Sequence, residues 1–254
     1  MSREYKLFKN DCKKNISLQG SDRDFKELSK KWFEQSISHR YSYNFEFLGR
    51  PIIQYPQDIV VIQEIIYQVK PDLIIETGIA HGGSLILSAS QLCLLDVMEG
   101  VNPKNSSRSV LGIDIDIRSH NKEAIEKHPL NFKIHMIEGS SISPDIVKSV
   151  EDYAQSFKKI LLLLDSNHTE DHVLAELNAY SHLVSKDSYC VVYDTCIEKL
   201  KKGGFPDRPW DVGNNPMTAV NNWLPKHPEY KIDYEIDKKL MFSVATSGYL
   251  KKII

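Results

Sequence analysis

From Pro71 onward the chain alternates short apolar runs with longer amphipathic stretches. The runs are DLIIET (72–77), SVLGID (109–114), FKIHMI (132–137), ILLLLD (160–165) and SYCVVYD (188–194). Segments this uniformly apolar suit strands buried on both faces, and the stretches between them, near 84–96, 119–127, 144–157 and 169–184, are long enough for crossover helices. The array therefore predicts βαβαβαβαβ around a parallel sheet, an α/β, Rossmann-like fold with helices on both faces. Beyond residue 195 comes a Gly/Pro/Asn-rich loop, then a short helix around 216–224. Two alternating segments, YKIDYEI and LMFSVAT, are expected to pair as an antiparallel C-terminal edge. Upstream, Ile59, Ile62, Ile66 and Val69 mark a helix over 57–69, and Phe25, Leu28, Trp32, Phe33 and Ile37 mark another over 22–40 behind an Asp22 or Ser21 cap. Residues 1–21 are polar and aperiodic. The expected organisation is a helical extension over 1–44 and one catalytic-sized domain over 45–254.

Composition narrows the partners. Of 254 residues, 41% are hydrophobic and 26% charged, ordinary globular values. The 32 basic and 34 acidic residues give a net charge of −2, with basic residues in scattered pairs such as Lys13-Lys14 and Lys158-Lys159. No phosphate-tracking face is implied, so nucleic acid is not an expected partner. Cys12, Cys93, Cys190 and Cys196 show no C-x-x-C spacing, and Cys93 and Cys190 sit in apolar runs where a thiol packs as a small hydrophobe. The charged start MSREYKLFKNDCKKN lacks the apolar core of a signal peptide, and no run approaches a membrane span. A cytoplasmic location is expected, and a homo-oligomer is left open.

In open parallel sheets, ligands bind beyond the carboxyl ends of the strands near the switch in strand order. Four of the five runs end in or beside a carboxylate: Glu76, Asp114, Asp165 and Asp194. After the first run, Glu76-Thr77-Gly78-Ile79-Ala80-His81-Gly82-Gly83-Ser84 carries a strand through a glycine turn into a helix. Gly78 and Gly82 let backbone approach a ligand closely, and Ser84 brings a hydroxyl to the helix start. A ligand-free βα turn is the plain alternative. The absence of G-x-x-x-x-G-K-[ST] removes a P-loop hydrolase. Thr77-Gly78-x-x-x-Gly82 also resembles the opening of short-chain dehydrogenases, with Tyr234-x-x-x-Lys238 as a distant pair. Those enzymes, however, carry an N-A-G motif absent here, and Tyr234 and Lys238 lie in a segment that alternates like a strand. The order Glu76, Gly78, Gly82, Ser84, Asp114 is similar to class I methyltransferases of the catechol O-methyltransferase kind. That resemblance implies S-adenosylmethionine with Glu76 on the methionine amine, Ser84 on its carboxylate, Asp114 on the ribose, and Gly139-Ser140 on the adenine.

Asp165 and Asp194 would end neighbouring strands, where two carboxylates can share a hard divalent cation, Mg²⁺ first because the ligands are oxygens. Simple capping of the following turns is the alternative. His168, three residues after Asp165, is positioned to take a proton from an acceptor hydroxyl, whereas His172 reads as an ordinary helix histidine. An iron site from His168 and Glu170, or a zinc site from His168 and His172, lacks the ligand spacing those metals use.

The longer strings Asp165-Ser166-Asn167-His168-Thr169-x-x-His172, Val191-Val192-Tyr193-Asp194-Thr195, Arg208-Pro209-Trp210 and Gly213-Asn214-Asn215-Pro216 join the glycine loop in resembling the cephalosporin hydroxylase family, also labelled rhamnosyl O-methyltransferase. The resemblance spans about residues 45 to 252. It implies a class I methyltransferase fold, methyl transfer from S-adenosylmethionine to a hydroxyl of a sugar or sugar nucleotide in polysaccharide or glycoconjugate synthesis, and Asp165 and His168 as metal ligand and general base. Where relatives have a second acid or an asparagine beside Asp194, this chain has Tyr193 and Thr195, so Thr195 or water is expected to complete the metal shell. Arg208, Trp210, Asn214 and Asn215 combine an aromatic face with guanidinium and amide donors suited to a sugar. An ordinary loop shaped by Gly213, Asn214 and Pro216 is the alternative. A nicotinamide-dependent oxidoreductase and a catalytically silent S-adenosylmethionine-binding or assembly protein are the competing functions.

Overall fold

A computed structural model describes residues 2–254. The five apolar runs form β3 (Leu73–Thr77), β4 (Ser109–Asp114), β5 (Ile134–Glu138), β6 (Ile160–Leu164) and β7 (Tyr189–Val192), all parallel to one another. Between them run α4 (Gly83–Met98), α5 (Ser119–Glu126), α6 (Pro144–Ala154) and α7 (Glu170–Tyr180). Upstream lie α1 (Arg3–Ser21), α2 (Arg23–Ser38), a small hairpin of β1 (Phe45–Phe47) and β2 (Arg50–Ile52), and α3 (Pro56–Val69). After β7 come α8 (Pro216–Trp223), β8 (Tyr230–Ile232), α9 (Tyr234–Leu240) and β9 (Tyr249–Lys252). The large sheet has the order β5-β4-β3-β6-β7-β9-β8, with β9 antiparallel to both its neighbours. Strand order reverses between β3 and β6, which puts the crevice at the ends of those two strands.

The strand period divides the core. Leu73 and Ile75 face one side of the sheet with Leu111, Ile113, Leu162 and Leu164, against α6, α7 and α8. Ile74 faces the other with Val110, Leu161 and Leu163, against α3 and α4. All of these are fully or almost fully buried, and each such side chain contributes about 1.5–3 kcal/mol. Both faces being covered explains why the runs read as continuous rather than alternating.

Two stretches depart from the expectations. Residues 3–21, aperiodic in sequence, are helical: Ser2 caps α1 by accepting from the Tyr5 amide, and Gln19 Nε2 donates to the Lys238 and Lys239 carbonyls at 2.7 and 3.0 Å. That helix is held by α9, a tertiary partner invisible to local pattern. At the C-terminal edge, 230–232 is a strand as expected, but 234–240 is helical and LMFSVAT is not a strand. Ser243 and the Val244 amide are instead tied to the buried carboxylate of Asp58 on α3, and the last strand begins nine residues later than expected, at Tyr249. Tyr234 and Lys238 consequently do share a helix, contrary to expectation. Lys238 lies against α1, where its stem fills the space beside Gly20 and its ammonium pairs with Glu235, while Tyr234 is exposed. The Asp22 cap is present, accepting from the Phe25 amide at 2.9 Å.

Candidate active site

The turn after β3 is fixed by close approach. Gly78 has φ +91°, and a Cβ there would lie 2.0 Å from the Asp165 carbonyl oxygen, so the ends of β3 and β6 touch only because the residue is glycine. The Gly78 amide donates to Ile113 O at 2.8 Å and the Asp165 amide to Thr77 O at 2.9 Å, extending the ladder past the strands. From outside, Arg50 clasps the loop, donating to His81 O at 2.9 and 2.7 Å and to Asn121 Oδ1, while Asn121 Nδ2 donates to Ala80 O. From inside, Asp114 Oδ2 accepts from the Ile79 and Ala80 amides at 2.8 and 3.2 Å, so the expected ribose carboxylate also pins the glycine loop. Gly82 caps α4 with φ +82°, and Ser84 sits in its first turn, where backbone N–H groups lack intrahelical acceptors.

Glu76 is 2% exposed at this crevice. Burial lifts its pKa to about 7, offset by the Ser84 hydroxyl, which donates to its Oε1. Its other oxygen, Oε2, is buried with no hydrogen-bond partner. A buried carboxylate oxygen left open suits a cationic N–H donor, the chemistry of an amino-acid ammonium. Ser84, expected on a ligand carboxylate, has its hydroxyl proton committed to Glu76, leaving its amide for an anion. Gly139 and Ser140 follow β5 beside Asp114, the Gly139 amide donating to Asp114 O at 2.7 Å.

Asp165 lies just past β6, and Asp194 two residues past β7 in a left-handed turn with φ +54°. Asp165, His168 and Asp194 present one ligand atom each within 4.8 Å of one another, and His168 Nε2 is 3.1 Å from Asp194 Oδ2. Burial, then the charges of Asp194, Glu76 and Glu176, hold the Asp165 carboxyl well above the usual carboxylate range. Two aspartate carboxylates with that mutual repulsion are an oxygen donor pair that fits a hard divalent cation, with the His168 imidazole beside them. Thr195 does not belong to it: the side chain is fully buried, and its hydroxyl donates to Thr246 O at 2.7 Å, turned towards the 243–248 segment.

The 207–216 loop splits into two parts. The Trp210 ring meets the His168 ring edge-on at 4.6 Å, and the exposed Arg208 guanidinium lies 5.2 Å from the Trp210 ring centre. Asn214 and Asn215, expected to bind substrate, are committed elsewhere. Asn214 Oδ1 accepts from the Glu170 amide at the start of α7 and its Nδ2 donates to Pro209 O. Asn215 is fully buried, caps α8 in a reciprocal box with Thr218, and donates to Glu198 and Asp211 O. Two contributors escaped the sequence reading. Gln54, from the turn before α3, donates to Asp165 Oδ2 at 3.2 Å. His172, with buried Glu176, receives Ser141 and Ser166 from the loops after β5 and β6, joining those two loops. The unexplained polar Gln54 between two prolines was the available signal for the first; only spatial proximity reveals the second.

A profile of the rhamnosyl O-methyltransferase/CmcI family matches residues 39–253. The rhamnosyl O-methyltransferase of Mycobacterium tuberculosis is 30% identical over 190 residues, covering 74% of this chain and 70% of that protein. The one from Mycobacterium leprae is 27% identical over 206 residues, covering 80% and 81%. Among solved structures, CmcI with Mg and S-adenosylmethionine superposes with a TM-score of 0.54 at 16% identity, over 84% of this chain and 78% of its own. An O-methyltransferase from Bacillus cereus in complex with S-adenosylhomocysteine gives 0.51 at 12% identity, over 80% and 81%. At these identities the structural likeness establishes the class I methyltransferase fold.

Proposed function

The chain belongs to the rhamnosyl O-methyltransferase/CmcI family and is an S-adenosylmethionine-dependent O-methyltransferase; we propose that its acceptor is a hydroxyl of a sugar or sugar nucleotide and that a divalent cation, Mg²⁺ first, assists the transfer. The observation that carries the metal-assisted reading is the Asp165–His168–Asp194 cluster at the ends of two adjacent strands, beside the glycine turn. The sugar reading is supported by the relatives' name and by the Trp210 face with Arg208 over it.

In this reading Glu76 Oε2 accepts from the cofactor's ammonium, the first-turn amides of α4 receive its carboxylate, and Asp114 uses its remaining lone pairs on the ribose hydroxyls, with Gly139 and Ser140 along the adenine. Asp165 and Asp194 hold the cation, which when bound lowers the pKa of the acceptor hydroxyl. A neutral sugar alcohol is a poor nucleophile, so a base is needed as well. The His168 imidazole takes the hydroxyl proton as the oxygen attacks the methyl carbon; the new O–C bond forms as the C–S bond breaks, leaving S-adenosylhomocysteine, the methyl ether and a proton on His168. Asp194 Oδ2, 3.1 Å from His168 Nε2, accepts from that nitrogen and stabilises the imidazolium, which leaves Nδ1 to take the proton. Trp210 against the His168 ring shields the reacting oxygen from water.

The test is methyl transfer from labelled S-adenosylmethionine to a panel of nucleotide sugars, with and without chelator. Transfer to a sugar hydroxyl that chelator abolishes and Mg²⁺ restores is the expected result. Full transfer in chelator would overturn the metal half, and transfer confined to non-sugar acceptors the other.

A further inference from the structure

A second buried acceptor stands open in the same cleft as Glu76 Oε2. Gln54 is 7% exposed, and its amide is used on one side only: Nε2 donates to Asp165 Oδ2, while Oε1 is buried with no partner. With Asp165 ionised, as a bound cation would hold it, the carboxylate only accepts, which sets the amide with its nitrogen towards Asp165 and its oxygen away. Gln54, Glu76, Ser84 and Asp165 line one small cleft with Asp58, Tyr193 and apolar neighbours, and among the described residues that lining includes no lysine, arginine or histidine. Three carboxylates and two orphaned acceptor oxygens around a space without a protein cation call for a ligand that brings several N–H donors and a positive charge. An ammonium has three such donors.

We infer that Gln54 is a positioning residue that bridges the cofactor and the cation site: its Oε1 accepts from the ammonium of the bound S-adenosyl group while its Nε2 holds the Asp165 carboxylate. The inference rests on the S-adenosylmethionine reading above. One planar amide then serves both sites, so occupancy of one fixes the carboxylate that the other uses. Gln54 reaches this position from the turn between β2 and α3, at a sequence separation of 111 residues from Asp165. Gln54 touches no reacting atom, and its effect is on binding and on the coupling between two bindings.

Titration calorimetry on the full chain separates the possibilities, using S-adenosylhomocysteine, which carries the ammonium, and 5′-methylthioadenosine, which lacks the amino-acid part. Gln54→Leu should weaken S-adenosylhomocysteine about tenfold or more and leave methylthioadenosine within about twofold. Mn²⁺ binding followed by its paramagnetic resonance signal should be strengthened by S-adenosylhomocysteine in the wild type and lose that enhancement in the variant. Gln54→Met, equal in length, replaces the leucine variant should its thermal melt show misfolding. Equal S-adenosylhomocysteine affinity in wild type and variant would overturn the inference, as would equal weakening of both nucleosides, which marks a structural role. Failure of the wild type to bind S-adenosylhomocysteine at all would instead overturn the cofactor reading on which it rests.

Discussion

Gly78→Ala tests how the sheet centre is held together. The alanine would keep φ +91°, a left-handed backbone that disfavours a Cβ by about 1–2 kcal/mol. Its Cβ would also stand 2.0 Å from Asp165 O and 2.6 Å from Asp165 C, main-chain atoms that cannot rotate aside. Forcing such overlap apart costs roughly a further 1–3 kcal/mol. The expected loss is about 2–5 kcal/mol, and with roughly 2–4 °C of Tm per kcal/mol at this size the melt should fall by about 4–20 °C. Gly100→Ala supplies the control, because Gly100 has φ +73° with nothing within 4 Å of a Cβ and so bears the backbone term alone. Thermal unfolding of both variants by circular dichroism, with Mn²⁺ affinity measured alongside, isolates the close contact. Since the displaced group is the main chain of Asp165, Gly78→Ala should weaken Mn²⁺ and Gly100→Ala should not. Equal melting of the two variants, with equal ion affinity, would refute the reasoning.

His168→Ala should lower kcat by about 10²–10⁴ while calorimetric S-adenosylhomocysteine binding stays unchanged; wild-type kcat under conditions where chemistry limits the rate would remove His168 as the base. Glu76, with a folded pKa of about 7 against an ordinary 4.5, contributes stability that is fully present below about pH 4.5 and lost as pH rises through about 7. The Tm of the ligand-free wild type should accordingly fall relative to Glu76→Gln across that window, and parallel melting curves from pH 4.5 to 8 would contradict the burial argument. Asn215→Ala removes the α8 cap and should cost about 1–2 kcal/mol in urea unfolding, with cofactor affinity unchanged; a parallel loss of acceptor binding without destabilisation would restore Asn215 to the substrate site.

Much of the crevice was legible because parallel strands buried on both faces announce themselves as apolar runs, and their ends name the residues at the rim. Glu76, Asp114 and Asp165 followed from run boundaries alone, and the adjacency of Asp165 and Asp194 followed from chain order in a doubly wound sheet. What stayed hidden depends on contacts made far along the chain. Asn214 and Asn215 carry donors that suit a sugar, yet Pro209 O, Glu198 and Asp211 O accept from those donors first. Thr195 looked available beside Asp194 until the left-handed turn sent its hydroxyl towards Thr246. Arg50, which clasps Asn121, and Gln54 come from a small hairpin and the turn after it, which sequence marks only as turns.

The antiparallel edge sets an order of assembly. Because β9 lies between β7 and β8, β8 has no place in the sheet until residues 249–252 have arrived, although it precedes them in the chain. Through the whole interval between making β7 and docking β9, the backbone of Val191 and its neighbours presents an open row of amides and carbonyls. A nascent or truncated chain is therefore a template for strand pairing with other copies, and the last strand acts as the stopper that closes it. Overproduction should thus be governed less by the stability of the finished sheet than by how quickly its final four-residue strand is seated.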